Sequence, residues 1–206
     1  MGYDRVKAVI MPRLQGVSPS GGVEEVFYRM KMAVVAGFLL FSLPALADVT
    51  GVVVGVADGD TVTVLDADKS QHKVRIAGID APEKAQPFGQ RAKQRMSTLV
   101  FGKEVRLEGD KQDRYGRTVA KVWVSPRDCQ GCPKTLDAGL AVLTSGLAWH
   151  YKKYQTEQSP EDRERYAFAE DEARTKRAGL WGDANPVPPW EWRKSRRSGG
   201  EQNSNR

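Results

Sequence analysis

Three runs of alternating character, joined by very short turns, restrict this chain more than any other feature. Val49 to Val56 is rich in valine, and Asp58-Gly59-Asp60 after it is a turn signal. Thr61 to Leu65 alternates threonine with apolar residues, as a half-buried strand does, and Asp66 to Ser70 is a second turn. Lys73 to Ile79 alternates again and places Val74, Ile76 and Gly78 on one face, with Arg75 on the other. Strands connected this closely form a meander. The period then changes: Ala92, Met96, Leu99 and Val100 recur at helical spacing and predict a helix over Phe88 to Phe101, with Gly102 placed to cap it.

Glu104 to Leu107 and Thr118 to Val124 read as two further strands, with Tyr115-Gly116 near the turn, and Leu136 to Leu147 as a short apolar helix. The last helix is punctuated by Ser159 as N-cap, Pro160 at N1 and an acid at N3. Gly179 is the expected residue just past its end, and Leu180-Trp181 is expected to fold back onto it. Residues 184–206 begin with three prolines in four positions, continue through Trp190-Glu191-Trp192 and end basic. They read as a docked aromatic segment followed by a disordered tail, in which Arg193, Lys194, Arg196 and Arg197 lie in solvent or add non-specific attraction to phosphates. Three strands, a helix, two strands and two helices make an α+β chain, mainly β, compatible with an OB-type barrel. Strand count alone does not choose that over another α+β arrangement. The 206 residues suit one domain with short extras, and 32 basic against 26 acidic side chains point to an anionic partner.

The N-terminus carries a targeting pattern. Ala33 to Leu43 is an apolar run of eleven residues, shorter than the roughly 20 needed to span a bilayer. Lys31 precedes it and Ala45-Leu46-Ala47 follows, the order of a secretory signal over residues 30–47 with cleavage between Ala47 and Asp48. Export to a periplasm or beyond is the expectation, with no membrane segment after cleavage. Residues 1–29 do not fit such a signal and read as a mis-called extension, translation starting at Met30 or Met32. Glu24-Glu25-Val26 can be encoded by a purine-rich ribosome-binding sequence, which the genomic codons would test. The first 47 residues hold five basic and three acidic groups, so the remainder is only mildly basic at +4.

Two polar clusters interrupt the strands, Asp58-Gly59-Asp60-Thr61 and Asp80-Ala81-Pro82-Glu83. Each puts two acids within four residues at a strand end. If the ends meet, two or three carboxylates converge and resist joint ionisation unless a cation neutralises them. Hard oxygen ligands with few His or Cys favour Ca²⁺ or Mg²⁺ over zinc. Asp-Gly-Asp is equally a plain hairpin turn. Arg75 sits inside an apolar strand, and Arg117 follows Asp113-Arg114-Tyr115-Gly116. Guanidinium forks suit phosphate, but both also suit salt bridges to those same acids.

Asp58-Gly59-Asp60-Thr61, Arg75 with Asp80-Ala81-Pro82-Glu83, and Asp113-Arg114-Tyr115-Gly116-Arg117 together resemble, in order and spacing, the thermonuclease or staphylococcal nuclease-like family. The likeness runs from about Val49 to Trp181, and the corresponding domain is residues 48–183. It implies a five-stranded OB-type β-barrel with three α-helices and a Ca²⁺-dependent phosphodiesterase acting on DNA and RNA and leaving 3′-phosphate ends. By motif position, Asp60 and Asp80 match the metal-binding carboxylates, Ala81 offers its backbone carbonyl where many relatives have threonine, and Asp58 matches an outer-shell acid. Glu83 matches the acid that holds or deprotonates water, and Arg75 and Arg117 match the phosphate-contacting arginines. Tyr115, Tyr151, Lys152 and Tyr154 are the candidate substrate-binding residues, with aromatic faces for bases and a cation for phosphate; a wet loop with incidental tyrosines fits the 151–154 stretch equally well. The implied partners are DNA and RNA substrates, with no stable protein partner and a monomeric chain.

Cys129-Gln130-Gly131-Cys132 has no counterpart in the staphylococcal relative, and in an exported chain a disulfide across this loop is the first expectation. A zinc site would need His72 and His150 as well, and neither has a functional case. Two rival readings stay open: a non-catalytic OB-fold nucleic-acid-binding module and, more weakly, a redox protein built on Cys129 and Cys132. The full set Asp60, Asp80, Glu83, Arg75 and Arg117 is more than simple binding requires.

Overall fold

The computed structural model describes residues 48–126 and 132–203, and side chains as far as Ser198. The signal-like segment 30–47, the stretch 1–29 before it and Cys129 lie outside the described residues. In chain order the elements are β1 (Thr50–Val56), β2 (Thr61–Asp66), β3 (Gln71–Ile76), β4 (Ile79–Asp80), α1 (Gly89–Val100), β5 (Glu104–Gln112), β6 (Thr118–Val124), β7 (Leu136–Asp137), α2 (Ala138–Thr144), β8 (Trp149–His150), α3 (Pro160–Thr175) and α4 (Pro189–Asn203). Short 3₁₀ turns cover Lys152–Glu157 and Gly179–Gly182.

The meander predicted from alternation forms as β1-β2-β3, and β5 and β6 continue the sheet from β1. Parallel pairing of β3 with β6, with Val74 opposite Thr118 and Ile76 opposite Ala120, closes the five strands into a barrel. Closure leaves the barrel strands without a free edge. Val53, Val62, Val64, Val74, Ile76, Val105, Leu107 and Val122 fill its interior, and α1 seals it with Ala92, Met96 and Val100. At about 25 cal/mol per Å² this apolar burial is the main favourable term in folding. The barrel with its helices is the OB-type α+β fold expected.

Local chemistry sets the helix ends. The helix expected over Leu136 to Leu147 starts later, because Leu136 and Asp137 pair with β6 as β7. Asp137 then caps α2, its Oδ1 accepting the Leu140 N–H at 3.1 Å while Oδ2 accepts the buried Tyr166 hydroxyl at 2.7 Å. At α3, Ser159 Oγ accepts the Asp162 N–H as its sequence predicts. Its C-terminus differs from expectation. Arg177 takes the left-handed position just past the helix end with φ of 50°, and the Ala178 N–H closes back on the Ala173 carbonyl at 2.9 Å. Gly179, two residues on, is left-handed as well with φ of 57°, and a Cβ there would stand 2.2 Å from the Gly146 carbonyl oxygen. Leu180 and Trp181 fold back and are buried, as expected.

The tail departs most from its sequence reading. Residues 189–203, expected to run into disorder, form a fourth α-helix, α4. Its prolines sit at the start, where a missing N–H costs nothing, and the Pro188 carbonyl accepts the Glu191 and Trp192 N–H groups at 3.1 Å. Trp190 then packs edge-on to Trp149 and stacks on Tyr151 with the rings 17° apart.

Candidate active site

Strand pairing brings the two acidic clusters together. Thr61 at the start of β2 is in register with Arg75 near the end of β3, and the Ile76 N–H donates to the Asp60 carbonyl at 2.8 Å. Asp60 therefore stands beside Arg75. Two residues past a glycine turn, β4 pairs with β8, Asp80 facing Trp149, and this aims Asp80 at the same guanidinium. Arg75 Nη1 lies 3.0 Å from Asp60 Oδ2, and Nη2 lies 2.9 Å from Asp80 Oδ1. Gly59 makes the approach possible, since a Cβ there would meet the Cβ atoms of Ala81 and Ala92 at 2.7 Å.

Both carboxylates are removed from solvent, Asp60 at 6% exposure and Asp80 at 0%. Asp60 Oδ2 accepts the Ala81 N–H at 2.6 Å, its Oδ1 accepts the Thr61 hydroxyl at 3.1 Å, and its own N–H donates to Asp58 Oδ1 at 3.0 Å. Burial pushes the Asp60 carboxyl up to about 7, with Asp58 and Asp80 adding to the rise against the pull of Arg75 and the Ala81 N–H. Burial works against the charge of Arg75, but Asp60, Asp80 and Asp58 outweigh it and hold the guanidinium above its ordinary value. The contribution of Ala81 seen here is its N–H, which fixes Asp60.

Glu83 lies on the loop between β4 and α1 and is partly exposed. Gly89 lets that loop close, because a Cβ there would overlap the Glu83 carbonyl oxygen at 1.9 Å. Gln86 ties the loop down, its Oε1 accepting the Glu83 N–H at 3.2 Å and its Nε2 donating to the Val187 carbonyl at 2.6 Å.

A residue assigned no role in the site from sequence completes the cluster. Arg193 of α4 places Nη2 2.7 Å from Asp80 Oδ2 and Nη1 2.7 Å from Glu83 Oε1. Its only sequence signal was the basic run after Trp190-Glu191-Trp192. Arg117 is not brought to these acids by any hydrogen bond or ion pair. On the turn between β5 and β6, its Nε and Nη2 bond Asp113 Oδ2 at 2.7 and 2.6 Å, and its guanidinium lies 5.4 Å from the Tyr115 ring centre. Asp113 also accepts the N–H groups of Tyr115 and Arg117, so this loop is held from within.

Next to the carboxylates, Trp149, Tyr151, Lys152, Lys153, Arg174 and Trp190 line most of a cavity of about 460 Å³. Tyr154 contacts Tyr151 edge-on and is half exposed, and Lys152 Nζ lies 3.3 Å from the buried Glu170 carboxylate. The 151–154 stretch is thus a 3₁₀ turn at the rim of an aromatic, cationic cavity. His72 pairs with Asp66 at 2.6 Å, and the buried His150 bonds Gln158 at 2.8 Å. Cys132 is disulfide-bonded, and Cys129 lies outside the described residues.

The donor set suits a hard cation. Among the described residues no three His, Cys, Asp or Glu side chains come together as a metal cage. Asp60 and Asp80 are instead a pair of buried carboxylates that share Arg75, with Arg193 also on Asp80 and burial raising the Asp60 carboxyl. An oxygen-preferring divalent ion that takes the rest of its shell from a backbone carbonyl and water fits such a pair.

A family model described as staphylococcal nuclease homologue matches residues 73–183. Protein ParB of Escherichia coli is 39% identical over 168 residues, spanning 82% of this chain and 92% of its own. The micrococcal nuclease of Shigella flexneri is 39% identical over 166 residues, spanning 81% and 92%. The staphylococcal-like nuclease CAN1 of Arabidopsis thaliana is 38% identical over 127 residues, 62% of this chain and 35% of its own. Asp60 and Arg193 both fall outside the span of the family model.

Proposed function

The chain belongs to the family of staphylococcal nuclease homologues, and on that premise we propose that it is an exported, Ca²⁺-dependent endonuclease hydrolysing DNA and RNA to 3′-phosphate ends. The observation that carries this reading is the buried pair Asp60 and Asp80 clamped by one guanidinium, with Glu83 at its rim. Asp60, Asp80 and the Ala81 carbonyl would hold the ion, and Asp58 would steady Asp60 through its N–H. A bound Ca²⁺ supplies charge neutralisation at a phosphoryl oxygen and a place for water.

The chain's own groups do the rest. Glu83 is exposed enough to meet water and is held by its loop, so it takes the proton as the water attacks. Arg75, fixed at two points, and Arg117, brought in from its turn, meet the negative charge that grows on the phosphoryl oxygens. Tyr151, Tyr154 and Tyr115 offer faces to bases, and Lys152 a charge to the phosphate backbone. Export with cleavage before Asp48 gives a mature protein whose N-terminal residue, read by sequencing, is Asp48.

Single-stranded DNA incubated with the protein in Ca²⁺ and, in parallel, in a chelator tests the reading. Fragments with 3′-phosphates in Ca²⁺ alone are expected, and E83Q should leave the DNA intact. Binding without cleavage in both tubes would make the protein an OB-type binder and Ala81 the first residue to suspect.

A further inference from the structure

The second guanidinium at the acids does not come from the barrel. Arg193 reaches Asp80 from α4, 113 residues further along the chain. Its fork covers Asp80 Oδ2 at 2.7 Å and Oδ1 at 3.3 Å, while Arg75 already holds Oδ1 at 2.9 Å. Both oxygens of Asp80 therefore accept from a cation, and Nη1 of the same guanidinium also takes Glu83 Oε1. The helix that presents Arg193 has its own anchors: Trp190 against Trp149 and Tyr151, and the Gln86 side chain on the Val187 carbonyl just before it. Gln86 bonds the Glu83 N–H too, so one side chain ties the tail to the loop that carries the candidate base.

We propose that Arg193 is a tethered cation that sits on the carboxylate oxygens a divalent ion would use and competes with that ion for Asp80. The proposal rests on the reading of Asp80 as a metal ligand. A bidentate guanidinium and a hard divalent ion need the same carboxylate lone pairs. A doubly charged ion seated on Asp80 also repels a guanidinium held within hydrogen-bond distance of it, most strongly where solvent is excluded, as at the fully buried Asp80. Metal binding and the Arg193–Asp80 contact are then opposed equilibria, each weakening the other by the same factor. Where divalent ions are scarce, Arg193 covers both the ligand and Glu83, and the tail holds the enzyme closed. When the ion arrives, the fork leaves Asp80 and Glu83 is released to water.

Calcium titration by calorimetry on the purified protein tests this without reading activity. R193Q should bind Ca²⁺ on the order of tenfold more tightly than wild type, the factor expected from losing a charged hydrogen-bonded competitor. R193K, which cannot fork across two oxygens, should fall between the two. R197Q, on an exposed turn of the same helix, should match wild type. In chelator R193Q should melt below wild type, and saturating Ca²⁺ should close that gap; R193K guards against a variant that simply unfolds. D80N separates the proposal from its premise. If D80N abolishes Ca²⁺ binding while R193Q and R193K leave the affinity unchanged or weaken it, the competition is overturned and the metal placement stands. Unaltered Ca²⁺ affinity in D80N overturns both.

Discussion

Two arginine-bearing regions carry the same expectation from sequence and meet different surroundings. Arg75 belongs to a barrel strand and lies between Asp60, from the turn before β2, and Asp80, from β4, both almost wholly buried. Arg117 belongs to a hairpin turn and binds Asp113, four residues away, beside the exposed Tyr115 ring. The first guanidinium is locked by the topology, and removing it strands buried charge. The second is held by its own loop in reach of water and can let go of Asp113 at small cost. On the proposed reading, pre-organisation and availability are thus divided between the two regions.

The largest effect should come from the locked region. Arg75→Ala leaves Asp60 and Asp80 facing each other without a shared counter-charge. Breaking one partner out of such a buried pair costs about 3–5 kcal/mol of stability. The rate should fall on the order of 10²–10³ from loss of a fixed donor alone. Urea unfolding and initial cleavage rates measure the two losses; wild-type stability would mean that the acids relax by taking up protons, and the contrast between the regions would fail.

Arg117→Ala should split the two losses. Its rate is expected to drop on the order of 10²–10³, while stability changes by less than about 1 kcal/mol because the Arg117–Asp113 pair is local and partly wet. A rate within about threefold of wild type would remove Arg117 from the chemistry.

Acidity separates the regions by sign. Asp60 is raised by burial from 3.8 to about 7 in the folded protein. The folded state then binds more protons than the unfolded one between those values, so its contribution to stability is lost as pH rises from about 4 to about 7. At Asp113 burial acts upward, but the Arg117 side chain and the two N–H groups prevail and hold the carboxyl below 3.8. Its contribution is present above that value and lost as pH falls through the lowered one. Melting temperatures across this range in chelator should therefore decline with rising pH in wild type, flatten in D60N and keep the decline in D113N. An unchanged slope in D60N would place the titrating group elsewhere.

The difference between the regions also explains what the sequence disclosed. The barrel was legible because Thr61 to Leu65 and Lys73 to Ile76 alternate with the pleat, although the strand read on to Ile79 stops at Ile76 where Ala77 and Gly78 turn, and the acids were legible because strand ends of a meander must meet. The Arg117–Asp113 pair is short-range, four residues apart, but the sequence reading assigned Arg117 to phosphate or to the clustered acids and not to Asp113. The two-residue strands β4 and β8 have no period to detect, yet their pairing is what turns Asp80 inward. Arg193 was hidden for the same reason on a larger scale. Its helix begins in prolines and is mostly polar, and its partners lie 110 and 113 residues away. Nothing local distinguishes it from Arg196 or Arg197, which point to no acid of the site.

The smallest effect belongs to the exposed edge of the second region. Tyr115 is 66% exposed and takes no part in the core; Arg114 and Arg117 lie over its ring at 4.9 and 5.4 Å. Exposed cation–π contacts are worth about 0.5–1 kcal/mol, so Tyr115→Ala should leave the melting curve almost unchanged. If the ring instead serves a base of the substrate, KM on single-stranded DNA should rise by about five- to tenfold, and kcat should hold. A fall in kcat to the level of Arg117→Ala, with KM constant, would give the ring a different task. It would mean that Tyr115 steers Arg117 toward the phosphate, and that the second guanidinium is pre-organised after all, by an aromatic face instead of by buried acids.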